Sequence, residues 1–534
     1  MRDQGRIVFD DAKRKEYAGR FTDGAPGTWD TSYHSNAWHV KLPNGANVSL
    51  PSPIAARFWD IEFASDVNSS NLWLRSLKYL VNYERSGHHA WNDIEGTLRS
   101  FNEWMDGFSD RRDELRSGSL DHQIALRLRT ACVLSCLMAR EDPDIRTQRR
   151  VMSAITERVR SDVVLASELD LFEDNNHGIM LAIAMLHASE FFPDVVDAVA
   201  AREWLDKLQD ALGRIVDQDG LAPENTISYQ IFYVNLLEQL SEFVQWADWD
   251  EEKTSWIVSL TRAAVLATRR LVMPDGAVPP IGDSPGGKQS RFGHLPGRVY
   301  SPSNGFFVDS DGETYLSMKS GFRSVIHKQM DDGSVILWRD GVFAIRDAGL
   351  LSYDQNDARA VAIRGQRGHS STVLRRFDAM NAMRMVGFST NTSRMDGELA
   401  LGENAADEID VISVTSYDGD PYLRRRVRSS DRRRFTIDDS YLADSRESVL
   451  TRLLLDESAQ SVSKEGLVVT VVAGPLKITY DLSFNEWLQE SAVSLVDGIV
   501  AASAYKAVAN KVLLIDWGEA DDERSLRTVV TIGR

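Results

Sequence analysis

The hydrophobic periodicity of this chain changes once, and that change divides it. From about residue 53 to residue 273 apolar residues recur at spacings of three and four with few long polar gaps, the pattern of successive helices that each bury a face. The clearest stretches are 71–85, 122–139, 178–191 and 228–246. Pro274-Asp275-Gly276 and the run Pro279-Pro280-Ile281-Gly282-Asp283-Ser284-Pro285-Gly286-Gly287 then interrupt the pattern. Beyond them the apolar runs are short, alternating or β-branched. Residues 334–338, a turn at Arg339-Asp340-Gly341 and residues 342–346 predict a hairpin. Further strands are predicted at 468–472, 477–480, 512–517 and 528–532. The expected fold class is therefore α+β and multidomain, with an N-terminal extension over 1–50, a helical domain over 51–290 and an antiparallel β-sandwich over 291–534. No repeat of residue identity is visible, although a toroid of helix pairs would repeat in structure only.

At 534 residues the chain exceeds what one hydrophobic core supports, in keeping with two or three domains. No apolar stretch approaches the roughly 18 residues that a membrane span needs. The first twenty residues carry ten charged side chains, among them Arg2, Arg6, Lys13, Arg14 and Lys15, and leave no apolar segment for a secretory signal. The expected location is cytoplasmic for the chain as written, or periplasmic or secreted for a trimmed one. A net charge of −18 disfavours a nucleic-acid binder, whose footprint is basic. An acidic enzyme still binds a polyanion where positive charge is concentrated locally. Cys132 and Cys136 lie four apart in an apolar run and are expected as buried, reduced thiols. Ten of the 13 Trp precede residue 260, which suits a large helical core or a sugar-stacking cleft, core packing being the simpler reading.

Histidine is scarce: ten in all, and none after His369. Neither a Gly-x-Ser-x-Gly frame, a phosphate loop nor a His-Glu-x-x-His helix is present. Three clusters stand out. Glu173-Asp174-Asn175-Asn176-His177-Gly178 precedes an apolar helix; it is either a cap with a first-turn histidine, or an amide and an imidazole placed where the helix dipole favours a carboxylate. Such donors suit a uronate, because draining charge from its carboxylate makes the proton at carbon 5 easier to remove. The second cluster, Asp219 to Gln230, leads into a helix. There Tyr233 reads as core, while Tyr229, in the first turn, is placed to transfer protons at a cleft. The third is Arg364-Gly365-Gln366-Arg367-Gly368-His369-Ser370-Ser371-Thr372-Val373, a histidine after flexible basic residues and before a strand.

Together and in this order the clusters resemble the heparinase II/III-like superfamily of polysaccharide lyases, whose members join an incomplete (α/α) toroid to an antiparallel β-sandwich. Supporting echoes are Ser119-Leu120-Asp121-His122 with Arg127, Pro274-Asp275-Gly276 through Ile281-Gly282-Asp283-Ser284, and Asp347-Ala348-Gly349-Leu350-Leu351-Ser352-Tyr353. The resemblance implies a catalytic set of Asn176, His177, Tyr229 and His369. Asn176 and His177 would neutralise the uronate carboxylate, Tyr229 or His369 would take the proton at carbon 5, and Tyr229 would protonate the departing oxygen. Substrate contacts are expected from Asn175, His122, Arg127, Glu224, Tyr233, Arg364 and Arg367; for His122 and Arg127 an ordinary salt-linked helix face is an equal reading. Several relatives hold a structural zinc near the sandwich, with a second histidine downstream of the catalytic one. This chain has no histidine after His369, so no metal or other cofactor is expected.

The expected partner is an acidic polysaccharide or oligosaccharide, cut by β-elimination to leave an unsaturated uronate end. A glycoside hydrolase is the enzymatic alternative, with Glu173, Asp174 and Glu224 as candidate carboxylates. A glycan-binding or assembly protein without turnover is the other. The basic run of Arg424, Arg425, Arg426, Arg428, Arg432, Arg433 and Arg434 either meets a polyanion or forms a solvated hairpin paired with acidic neighbours, the latter being simpler.

Overall fold

The computed structural model describes residues 16–17, 31–35, 37–41, 47–60, 67–81, 91–107, 119–287, 289–354, 356–378, 395–403, 405, 408–521 and 524–534. Contacts along the chain divide it into two compact units, Met1–Ile215 with Glu242–Trp249, and Val216–Ser241 with Asp250–Arg534.

The first unit holds a small antiparallel sheet, Thr31–His34, Ala37–Lys41 and Asn47–Pro51, followed by helices. These run Val67–Arg75, Trp91–Asp106, Leu120–Glu141, Ile145–Glu168, Asn176–Phe191 and Ala198–Ile215. The first is shorter than its periodicity predicts. Leu77 takes a left-handed φ of 56°, which an L residue cannot propagate as helix, and a 3-10 turn over 78–81 follows; residues 82–85 lie outside the described set. Leu120–Glu141 is buried along most of its length because it packs against Val67–Arg75, Ile145–Glu168 and Asn176–Phe191. Its Cys132 and Cys136 are buried and form no disulfide. Trp38, Trp59, Trp73, Trp91, Trp104, Trp204 and Trp246 are core residues, as the simpler reading holds.

Arg127 sits mid-helix with 2% of its surface exposed, so its charge must be met inside. Asp162 accepts from Arg127 Nε at 2.9 Å and Nη2 at 2.6 Å, the carbonyl of Arg75 accepts from Nη1 at 3.0 Å, and Arg158 Nη2 donates to the same carboxylate at 3.1 Å. The guanidinium is thus spent on the interior, and the salt-linked reading of Arg127 describes what is found.

The second unit carries the helix Glu251–Leu271, after which no helix longer than seven residues occurs among the described residues. Three antiparallel sheets follow. A five-stranded meander runs Gly297–Ser301, Phe306–Ser310, Thr314–Lys319, Ser334–Arg339 and Val342–Ile345. Its last hairpin is the predicted one, turned at Asp340 and Gly341, both with positive φ (47° and 87°) as a tight two-residue turn demands. The eight-stranded sheet has the spatial order Met395–Leu401, Ile409–Tyr417, Asp420–Ser429, Arg434–Tyr441, Ser525–Gly533, Leu476–Asp481, Val468–Ala473 and Ser461–Glu465. The four-stranded sheet is Val493–Ser503, Lys506–Ala520, Glu447–Leu454 and Thr372–Leu374. Alternate residues such as Phe435, Val471, Ile478, Leu513 and Val530 interdigitate in one large core. In the basic run, Arg425, Arg426, Arg428 and Arg432 pair with Asp439, Asp410, Asp438 and Asp309. No helix among the described residues is long and apolar enough to cross a membrane.

Replacing Arg127 with Met strands part of the Asp162 charge in the interior, so the variant should lose about 3 kcal/mol of stability in urea unfolding. Unchanged stability together with weaker glycan binding would return Arg127 to the substrate-contacting set.

Candidate functional site

Each unit contains one constellation of polar side chains around residues singled out above. In the first, Asn175 is the N-cap of Asn176–Phe191: its Oδ1 accepts from Gly178 N at 3.0 Å and its Nδ2 donates to Glu173 Oε2 at 2.8 Å. Gly178 is required here, since a Cβ would lie 1.9 Å from the carbonyl oxygen of Glu173. Asp174 is spent on Arg214, which donates at 2.6 and 2.8 Å. The capping work thus falls to Asn175. Asn176 and His177 are left half-buried in the first turn, where the dipole favours an anion. The Nδ1 of His177 is 3.3 Å from Asp121 Oδ2, and its ring lies 4.8 Å from that of His122. Burial pushes the His122 imidazole down to about 3, with the neighbouring His177 adding to the effect. Lys78, absent from the sequence-derived set, belongs to this group: its ammonium lies over the Trp73 ring at 2.9 Å, burial brings it down to about 7, and its charge acts on His122.

The second constellation is assembled from four segments. Asn225, left-handed at φ 60°, donates to the carbonyls of Ser324 at 2.6 Å and Ile326 at 2.9 Å, which draws the loop before His327 to the start of the helix Ile227–Trp246. Ser284 Oγ bonds Thr226 Oγ1 at 2.6 Å and Ser228 N at 3.0 Å at the same helix start. The result is that the Tyr229 ring stacks on His327, centroids 3.8 Å apart. Asp283, 2% exposed, holds His327 Nδ1 at 2.8 Å, accepts from Gln329 Nε2 at 2.6 Å and lies 3.4 Å from Arg364 Nη2. With Nδ1 held by a carboxylate, Nε2 carries the imidazole's lone pair. It faces Glu224 Oε2 at 3.7 Å, while Glu224 Oε1 accepts from Tyr233 at 2.5 Å.

Burial pushes the Tyr229 phenol up to about 12, against a hydrogen bond with Tyr353 that pulls it back. Tyr353 stands at the rim, 39% exposed, with the Arg364 guanidinium 5.4 Å from its ring centre. Arg364 is buried, and its Nε and Nη1 make no hydrogen bond, whereas Arg367 is exposed on the next turn.

His369 makes none of these contacts, although Lys328 and Asp331, which follow His327, act on it electrostatically. It is 1% exposed, with Nδ1 3.0 Å from Asp347 Oδ2. Of the sequence-derived set, Tyr229, Glu224, Tyr233 and Arg364 come together, and the histidine that joins them is His327. Asp283, Gln329 and Tyr353 complete the group. Asp283 and Tyr353 stand inside stretches already marked as family echoes. His327 carries no such flag, and its only local signal is a charged run between Ile326 and a predicted strand.

Residues 295–514 match the family described as heparinase II/III-like, C-terminal. No curated protein sequence matches the chain. Among solved structures, a heparinase III is 15% identical with a TM-score of 0.66 and covers 97% of this chain and 84% of that one. The heparan sulfate lyase HepC from Pedobacter heparinus is 13% identical, covers 99% and 84%, and has a TM-score of 0.63. A chondroitinase AC lyase is 9% identical, covers 98% and 82%, and has a TM-score of 0.52. At these identities the likeness is one of fold. That fold is the expected one, a helical (α/α) toroid followed by an antiparallel β-sandwich.

The neutral His122 has a stability signature. In the unfolded chain it takes a proton near pH 6.5, in the folded one only near 3. Stability it supports is therefore present above about pH 6.5 and drains away as pH falls, by about 2 kcal/mol on reaching about pH 5. His122→Asn should flatten the denaturant-measured stability over that interval relative to the parent; parallel curves would refute the assignment.

Proposed function

We propose that this protein, whose residues 295–514 carry the heparinase II/III-like C-terminal domain and whose fold is that of heparinase III, is a polysaccharide lyase that cleaves an acidic, uronate-containing glycan by β-elimination. The observation that carries the reading is Tyr229 stacked on His327, with the imidazole held at Nδ1 by Asp283.

The reaction removes the proton at carbon 5, forms the carbon 4–carbon 5 double bond and expels the oxygen at carbon 4, which needs a proton. His327 Nε2, its tautomer set by Asp283, is the base for the first step. Tyr229 is the acid for the last: a phenol raised to about 12 holds its proton at neutral pH and sits against the base, where a departing alkoxide draws on it. Asn176 and His177, to which the resemblance gives the carboxylate role, stand at a helix N-terminus, a setting that favours negative charge. In this assignment His369, sealed at 1% exposure, is part of the scaffold rather than the base. Asp174 and Glu173, candidates for a hydrolase, are engaged by Arg214 and Asn175.

The similar structures are named for heparan sulfate and chondroitin, so the purified protein should be tested on those, on alginate and on bacterial uronate exopolysaccharides. Ultraviolet absorbance of an unsaturated uronate is the expected readout. His327→Ala and Tyr229→Phe should each lower kcat by about 10²- to 10⁴-fold, and His369→Ala should alter stability more than kcat. A saturated product carrying oxygen from solvent would instead identify a hydrolase. Binding without any product, unchanged in the variants, would identify a glycan-binding protein.

A further inference from the structure

The strands Val493–Ser503 and Lys506–Ala520 form a hairpin that outruns its sheet. Lys506–Ala520 pairs with Glu447–Leu454 only from Val512 to Ala520, whereas its pairing with Val493–Ser503 continues down to Lys506. The overhanging part is held from below. Val500 and Ala501 share a small core with Ala348, Leu351, Ala360 and Ile363. Ala501 N donates to Ala348 O at 2.9 Å, and Tyr505 N to Leu351 O at 2.7 Å. The approach is so close that a Cβ on Gly286 would lie 2.3 Å from Ala501 O, and one on Gly287 2.6 Å from Ala502 O. The three segments that hold the tip are the ones that build the second constellation: 284–287 follows Asp283, 348–351 leads to Tyr353, and the helix Ala358–Arg364 ends in Arg364.

What the hairpin places there is Tyr505, 59% exposed and left-handed at φ 63°. Glycine takes that backbone freely and a bulky side chain is disfavoured in it, so the needs of a tight turn do not account for a tyrosine. Tyr353 is a second exposed aromatic of this rim and hydrogen-bonds Tyr229. Two residues, at most about 7 Å of chain, separate Tyr353 from Leu351, which holds the Tyr505 backbone. Lys506, exposed beside Tyr505, makes no ion pair among the described residues, whereas Arg425, Arg426, Arg428 and Arg432 of the same unit are all paired.

We propose that Tyr505 and Lys506 form a glycan-binding subsite at the rim of the second constellation, taking a sugar of an acidic polysaccharide a few residues from the bond that is cut. A tyrosine ring offers a flat apolar face to the C–H face of a pyranose and loses little rotamer freedom in doing so. The neighbouring ammonium, a flexible point charge, meets a carboxylate on that sugar or the next. Because the backbone of the tip is already fastened to the site's own segments, little of it has to be ordered when the glycan arrives. That the subsite serves a cut rests on the lyase reading; that it binds glycan does not.

Affinity electrophoresis through gels containing heparan sulfate, chondroitin sulfate or alginate tests this. At least one polymer should retard the wild-type protein. Tyr505→Ala should weaken that binding roughly 10-fold, Tyr505→Phe should keep it, and Lys506→Gln should weaken it chiefly at low salt. If Tyr505→Ala does not fold, Tyr505→Gly reads the same loss, since glycine suits the left-handed turn. On a polymer that yields product, Tyr505→Ala should raise KM roughly 10-fold and change kcat by less than about twofold, as loss of binding common to ground and transition states does. A folded variant that binds as the wild type does, or a wild type that no polymer retards, overturns the proposal. If the variants bind more weakly while no polymer yields an unsaturated product, the lyase reading fails and the subsite stands.

Discussion

A carboxylate taken out of water has to be met by donors, and in the second unit one such group organises the rest. Asp283 comes from the turn-rich stretch between the last long helix and the first sandwich strand. It is met by His327 and Gln329 from one loop and by Arg364 from another segment. Breaking any one of these pairings leaves buried charge behind, so segments far apart in sequence are fastened by a single requirement. The catalytic reading of His327 follows from this fastening, since Asp283 sets both the position of the ring and which nitrogen carries the lone pair.

The fold was legible because it rests on periodicity. The three-and-four spacing marks the helices Leu120–Glu141, Asn176–Phe191 and Ile227–Trp246, and the strands at 468–473 and 476–481 follow from alternation and turn residues. The lapse at 71–85 came from Leu77, whose left-handed backbone nothing in an apolar pattern announces. The candidate site was legible in part. Tyr229 and Glu224 stand in a recognisable helix entry, and Asn176 and His177 in a recognisable cap. The histidine was harder. His369 has the flexible, basic setting expected of an active-site loop, yet it lies beneath the surface against Asp347. His327 stands in a charged run of the kind that is ordinarily solvated. The burial of Lys328, Asp331 and Asp332, which makes that run a scaffold, depends on partners brought in by the sheets and has no local signature. For Arg127 two readings stayed open for the same reason: its partner Asp162 lies 35 residues away on another helix.

The two constellations meet the problem of polar groups near a core in opposite ways. In the first constellation two groups are held near neutrality by burial: His122 is pushed far below its ordinary value, and Lys78 is brought down to about 7 against an indole ring. In the second unit, charge is kept and balanced. Arg425 makes the point: it pairs with Asp439 through two nitrogens and donates to the carbonyls of Gly333 and Ser370, one closing the turn that bears His327 and the other adjoining His369. Side chains held near neutrality are suited to gaining a charged ligand, although His177 beside them has the Asp121 carboxylate at 3.3 Å. A balanced ionic network is suited to rigidity, because every member is penalised for moving. Proton transfer needs that rigidity, since its rate depends on geometry to within a fraction of an ångström, and it is in the charge-balanced unit that Tyr229 and His327 are stacked.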